Sequence, residues 1–228
     1  MRSPTLIFKD SLEEVDQLLL MHEMLTGTGP GRRHKVEVLN KSAVLFLCAS
    51  FEAFIEDLSV RAFDHIVLKS PTPSALPKSI RKTIAESLKN DPNVLKVWDL
   101  AGDGWKAVAG AHKKAVLDRH VGKFNTPKPG IIEQLLKDLI GFEDADNAFT
   151  WKNMNSKNAK EKLKSFVEIR GALALGESPA PKVGKAKVIS YLNFLAPLSV
   201  RFSNEVARYV EKQTGHLPWS LAHFNSIE

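Results

Sequence analysis

From about Lys35 to Lys69 the sequence carries one long helical pattern, with an apolar stripe through Val38, Leu45, Cys48, Ala49, Phe51, Ile55, Leu58 and Ala62. Apolar residues at three- and four-residue spacing mark one face of a helix, and a stripe this long predicts the central helix of a core. The same periodicity runs through most of the chain. Leu12, Val15, Leu18, Leu19, Met21 and Leu25 predict a helix after Asp10 and Ser11 as N-caps, and Gly27-Thr28-Gly29-Pro30-Gly31 breaks it. Residues 70–77 (SPTPSALP) read as a loop, followed by shorter helical pieces at about 78–89, 92–100 and 105–121. Asn125-Thr126-Pro127-Lys128-Pro129-Gly130 predicts a second break, and Ile131–Ile140 a compact amphipathic helix. Ser156 is the predicted cap of a helix running to about Leu175, with Gly176 just past its end and Pro179 beyond. The last long helix covers about Lys185–Gln213, with a bend expected at Pro197, whose ring removes a backbone donor. Residues 214–228 form a tail whose Leu217, Trp219, Leu221 and Phe224 are expected to dock on apolar surface. No strand pair and no internal repeat is evident. The fold class is therefore all-α: one domain over residues 1–228, comprising an N-terminal helix and Gly-rich loop (1–33), a core (34–213) and a C-terminal tail (214–228).

Composition supports such a core, with 43% hydrophobic residues among 228. Glycine and proline, at 13 and 12, are too few for a low-complexity or disordered chain. A single cysteine, Cys48, excludes an intrachain disulfide framework and a cysteine-based zinc cluster, and it suits a reducing cytoplasm. No apolar run approaches the roughly 18 residues of a membrane span, and the N-terminus turns acidic too soon for a signal peptide. The expected location is cytoplasmic, with no membrane partner. The net charge of +6 is unevenly placed. Residues 106–128 hold six basic groups against Asp118 alone, residues 152–187 hold nine against three, and the intervening 129–151 hold one against five. Blocks of this kind can make a polyanion-binding face through phosphate neutralisation and counterion release. They can equally be the solvated faces of surface helices.

Several enzyme classes lack their motifs: there is no Walker loop, no G-x-G-x-x-G after a strand, no H-E-x-x-H and no G-x-S-x-G. The seven histidines show no ligand spacing with carboxylates, so no metal and no cofactor is expected. His112 and His120 share the first basic segment, either as phosphate contacts or as ordinary helical surface residues. Cys48, in an apolar setting that raises a thiol's pKa, is not a nucleophile.

Three segments carry a family resemblance. Phe166-Val167-Glu168-Ile169-Arg170-Gly171-Ala172-Leu173-Ala174-Leu175-Gly176-Glu177 resembles the signature helix of the HEPN superfamily of ribonucleases, in which an arginine is followed by a histidine, commonly as R-N-x-x-A-H-G. The run from Cys48 to Leu58 (CASFEAFIEDL) resembles the "FEaf…dl" helix of the subgroup found beside RNA ligase and phosphatase modules, the RiboL-PSP type. Phe124 to Leu135 (FNTPKPGIIEQL) resembles that subgroup's "NTP…ni.elf" element. The three occur in family order and span roughly residues 40–210. The resemblance implies a HEPN-type helical bundle with long central helices and extra short ones, acting as a homodimer on RNA. It further implies metal-independent endoribonuclease chemistry in a toxin, anti-phage defence or RNA-stress setting, with an antitoxin or defence-system protein as a further partner.

What the resemblance implies for the site is a division of labour at a dimer cleft. Arg170 would hold the phosphate and stabilise transition-state charge through a forked contact, while a histidine would move protons. This chain departs from the pattern at that point: Leu175 stands where the histidine is expected, and Gly171 replaces the usual polar residue. Leu175 has no titratable atom. It is read either as an engineered replacement silencing a toxic nuclease or as a natural loss leaving a pseudo-nuclease. On a helix, positions five apart lie about 140° apart around the axis, so Arg170 and residue 175 do not share one stripe. Read without the family, the stretch is the apolar end of a core helix, with Arg170 favoured by the helix dipole.

Glu52, with Glu56 and Asp57, is a candidate for orienting Arg170 or positioning the 2′-hydroxyl, or else part of a solvated face. Lys113, Lys114, Arg119, Lys123 and Lys128 are the candidates for holding the RNA backbone. Lys182, Lys185 and Lys187 follow the signature helix closely enough to flank its cleft. Trp105, Trp151 and Trp219 are core residues or base-stacking platforms. The competing function is a non-catalytic helical module that binds RNA or a protein through the same basic face. A structural adaptor docking through Trp219 and Phe224 is a third reading.

Overall fold

A computed structural model of the chain describes residues 2–27, 37–124, 127–176, 179 and 181–223, with backbone alone at 121–124. The described residues are built from helices and turns, and one isolated bridge between Trp151 and Met154 is the only β pairing among them.

The central element is α2 (Glu37–Lys69), 33 residues, or about 50 Å of helix. It buries residues on most of its circumference, among them Val44, Leu47, Cys48, Phe51, Ile55, Leu58, Ala62 and Ile66, as a helix must when neighbours cover it on several sides. The predicted stripe holds through its middle and slips at Val38 and Ala49, which are exposed. Helix α1 (Pro4–Thr26) packs along α2, and the rings of Phe8, Phe51 and Phe54 form a cluster with centroids 5.2–6.0 Å apart. It starts two turns earlier than expected. Ser3, not Asp10 or Ser11, is the N-cap, its hydroxyl accepting the Leu6 N–H, and Pro4 sits where a missing donor does no harm. The buried face is Phe8, Leu12, Val15, Leu19 and His22. At 100° per residue Met21 and Leu25 rotate off it, and both are exposed.

After a short 3₁₀ turn (Pro73–Ala75) come α3 (Lys78–Lys89), a 3₁₀ segment (Val94–Leu100) and α4 (Gly104–Phe124). Helix α5 (Pro129–Ile140) begins two residues before the predicted Ile131, because proline suits a first helical position. Of the predicted break, Asn125 and Thr126 lie outside the described residues. Gly141 closes α5 at φ +74, where an added Cβ would stand 2.5 Å from Ser79 Oγ, so this turn requires glycine. Helix α6 (Ser156–Ala174) is capped by Asn155, whose side chain accepts the Asn158 N–H at 2.9 Å. Ser156, the predicted cap, instead donates to Asp146.

Helix α7 (Lys185–Thr214) continues through Pro197 as one helical segment and lies against α2. The tail folds back onto it: Trp219 is buried and donates to the Ser203 carbonyl, and Asn204 exchanges two hydrogen bonds with the backbone of Ala222. Leu221 is half-buried, Leu217 stays exposed, and Phe224 lies outside the described residues. The helices share one apolar core. No described helix is long and apolar enough to cross a membrane.

Candidate functional site

Helix α6 runs toward the end of the bundle where α2 begins. Asn40, in the first turn of α2, donates to the Val183 carbonyl just before α7, and Lys185 pairs with Glu23 near the end of α1. The ends of α1 and α6 and the starts of α2 and α7 therefore lie together. Just below this end, α6 lays Arg170 against the face of α2 that carries Cys48 and Glu52, and its positive charge acts on both.

Glu52 is half-buried, and burial raises its carboxyl above the ordinary carboxylate range, opposed by Arg170 and by the Cys48 thiol, whose Sγ lies 3.9 Å from Glu52 Oε1. Burial, with Glu52 beside it, pushes Cys48 up to about 12, so the thiol stays protonated and unreactive, as its apolar setting predicts. Arg170 is half-buried and, among the described residues, makes no ion pair, which leaves its guanidinium donors available to an anion. Of the three carboxylates singled out on α2, Glu52 is under the electrostatic influence of Arg170, Glu56 is exposed, and Asp57 pairs with Arg61 at 2.6 Å.

Leu175 is the C-cap of α6, its N–H donating to the Gly171 carbonyl, and Gly176 follows at φ +65. At 80% exposed it is not the buried end of a core helix. Ile169 and Leu173 are partly buried and pack against the core, so packing accounts for the stretch up to Leu173 and not for Leu175. The Leu175 side chain projects into solvent.

The RiboL-PSP-HEPN family model matches residues 9–208, which takes in α2, the start of α5 and the Arg170 helix. The chain belongs to this family. No curated protein and no solved structure matches it. Membership points to a nuclease- or RNA-related role for the HEPN chain.

The candidate cations do not converge in one HEPN chain. Lys113 pairs with Asp64 at 2.6 Å, in the second half of α2, whereas Lys185 and Lys182 lie near its first turn. Asp64 and Asn40 are 24 residues apart, about 36 Å along the helix. Lys113 and the Lys182–Lys185 stretch thus lie toward opposite ends of α2, while the rest of the second block runs along α6, where Lys160 pairs with Glu133 and Asp146. Lys114, Arg119, Lys128, Lys182 and Lys187 are exposed, and the side chain of Lys123 lies outside the described residues. Lys113 and Lys185 are partly neutralised by Asp64 and Glu23.

Neither His112 nor His120 is a surface phosphate contact, because both are buried against Asp138 of α5. His112 Nε2 donates to the Asp138 carbonyl at 3.2 Å, His120 Nε2 meets Asp138 Oδ2 at 3.2 Å, and Gln134 donates to Oδ1 at 2.7 Å. Burial lowers the His112 pKa, opposed by its hydrogen bond to Asp138 and reinforced by nearby Arg119. Trp105 and Trp219 are core, and Trp151 packs on Phe194. Sequence reasoning passed over the tryptophan that is open to solvent, Trp98, at 73% exposed. Its signal was the apolar run Val94-Leu95-Lys96-Val97-Trp98, too short for a helix with a buried face and bounded by Asp91-Pro92-Asn93.

Proposed function

We propose that this HEPN chain is a metal-independent endoribonuclease scaffold that retains the phosphate-holding half of its site at Arg170 and lacks the proton carrier at position 175. The observation that carries the reading is Arg170 itself: half-buried, facing Glu52, and free of any ion pair among the described residues. In the reaction the RNA 2′-hydroxyl attacks the neighbouring phosphorus and the bond to the 5′-oxygen breaks. The products are a 2′,3′-cyclic phosphate and a free 5′-hydroxyl. A base takes the 2′-hydroxyl proton, an acid delivers one to the leaving oxygen, and the guanidinium stabilises the added charge on the equatorial oxygens. Leu175 can take neither proton role. Acid–base catalysis is typically worth about 10²–10⁴-fold, so this chain turns over slowly if at all.

A homodimer completes the site. Leu20, Met21, Met24 and Leu25 form an exposed apolar patch on α1, beside the Glu23–Lys185 pair and hence at the same end as the α6 terminus. A patch of large apolar side chains marks a contact surface, and a second copy of the chain is the partner it fits here. Residues 1–228 act as one cytoplasmic domain in a toxin, anti-phage or RNA-stress role, with an antitoxin or defence-system protein as an additional partner. The second reading, a non-catalytic RNA- or protein-binding module, draws on the exposure of Leu175 at the proton-carrier position.

The deciding experiment is Leu175→His, assayed for RNA cleavage in EDTA. Restored cleavage that Arg170→Ala abolishes supports the nuclease reading. An RNA-binding dimer that gains no cleavage supports the binding module.

A further inference from the structure

A sizeable cavity lies away from Arg170. A cleft of about 650 Å³ runs between α3, the Val94–Leu100 segment and α4, and no residue of α6 lines it. It is lined on α4 by small side chains four residues apart, Ala107, Ala111 and Ala115, and elsewhere by the apolar Ile84, Leu88 and Trp98. At one end lies Arg119, 15 residues beyond Gly104 and so about 22 Å along α4 from the other end. Trp98 is 73% exposed, and Val94, Leu95 and Val97 beside it are exposed as well. An indole this exposed, in the lining of a cleft, is a surface on which a planar group stacks.

The elements that border the cleft, from Lys78 to Phe124, carry ten basic and five acidic side chains, while in the lining itself Lys96 and Arg119 stand against Asp91 and Asp99. Lys96 is bound to Asp91 at 2.9 Å. Arg119 is less committed, with Nη1 lying 3.7 Å from Asp138 Oδ2, beyond hydrogen-bond reach. The oxygens of that carboxylate already accept from Gln134 and meet His120. A stacking platform, a long cleft and an available guanidinium in a basic surround are the parts of a single-strand binding track.

We propose that this cleft holds a short single-stranded RNA segment, with a base stacked on Trp98 and a phosphate held by Arg119, as a second contact remote from Arg170. The proposal rests on the RNA reading above and adds to it where the strand is gripped. The cleft is longer than a mononucleotide needs, which favours a strand over a free nucleotide. Asp99, in the cleft lining near Trp98, is an acceptor for a ribose hydroxyl and would disfavour phosphate at that end.

The test uses the full chain with Leu175 in place, titrated against a fluorescein-labelled oligouridylate and read by anisotropy across a salt series. Trp98→Leu is expected to weaken binding about five- to hundredfold, the range for losing one base–aromatic stack. Arg119→Gln should weaken binding and reduce the salt slope by about one. Ala111→Trp, which fills the cleft, should weaken binding without changing net charge. Thermal melting of each variant confirms its fold, and Trp98 and Arg119 are exposed enough for replacement to leave it intact. Tight binding by the parent that all three variants keep unchanged overturns the cleft while leaving the RNA reading in place. An oligonucleotide that the parent does not bind at all overturns both.

Discussion

Leu175→His is the perturbation on which the functional reading turns, and the structure bounds its effects. The side chain is 80% exposed and terminates α6, so the substitution opens no cavity and removes no buried contact. Its stability cost falls within the ±0.5 kcal/mol or so of ordinary surface changes. An imidazole there begins near its unperturbed pKa of about 6.5. A cation at a helix C-terminus gains about 0.3–1 kcal/mol from the dipole, so the pKa lies at that value or somewhat above it, placed for both proton roles near neutral pH. The expected gain is about 10²–10⁴-fold in cleavage rate. The assay is a 5′-labelled RNA incubated in EDTA, with the product ends checked for a 2′,3′-cyclic phosphate.

Whether the site is shared between copies is tested by mixing. The double variant Leu175→His with Arg170→Ala has the imidazole without the guanidinium, and the parent has the reverse. A composite site predicts that each is inactive alone and that their mixture cleaves. Three results refute the reasoning: no cleavage by a Leu175→His dimer that binds RNA, cleavage that requires metal, or cleavage that survives Arg170→Ala.

Other consequences of the structure are open to measurement. Glu52 has a folded pKa raised by burial, so its ionisation costs stability as pH rises through that pKa, and the cost is absent at low pH. Glu52→Gln should therefore melt at a higher temperature than the parent at pH 7, with the difference closing as pH falls through the carboxylate range, and an unchanged or widening gap would contradict the assignment. Cys48, buried and pushed up to about 12, should resist iodoacetamide at pH 8 in the native protein and react on addition of urea. Trp219→Ala should cost about 3–5 kcal/mol in urea unfolding, because the indole is buried and tied to Ser203. A loss below 1 kcal/mol would mean that the tail does not belong to the cooperative unit.

What was legible in the sequence was local. The boundaries of α3, α6 and α7 follow from apolar period and from Pro and Gly punctuation, and both operate within a few residues. Errors arose where one more turn of counting decided the matter: Met21 and Leu25 fit the spacing of a helix but not the face set by Phe8, Leu12, Val15 and Leu19. The N-cap of α6 fell one residue from its predicted place because Asn155 and Ser156 are both competent, and Asp146, ten residues upstream, engages the serine. The state of the site's charges was not legible, because their partners are remote in the chain. Lys113 meets Asp64 across 49 residues and Lys185 meets Glu23 across 162. The burial of His112 and His120 depends on Asp138, which the packing of α5 on α4 brings to them.

That separation of charge bears on how a strand would be engaged. In the sequence the two basic blocks lie just before the Asn-Thr-Pro element and around the Arg170 helix, which suggests a single surface around the site. In the fold, Arg170 faces Cys48 and Glu52, while the first block is anchored at Asp64, about 18 Å further along α2 from Glu52. The α1 terminus near the other end of α2 presents exposed leucines and methionines, the composition of a protein contact. On the proposed reading, polyanion would be held toward the Asp64 end and a second copy toward the other, with the scissile phosphate at Arg170. A strand gripped at the α3–α4 cleft would have to extend beyond it to reach Arg170, because no residue of α6 lines the cleft. Its affinity would come mainly from contacts that the cleavage step does not use, leaving Arg170 to act on charge that develops only in the transition state.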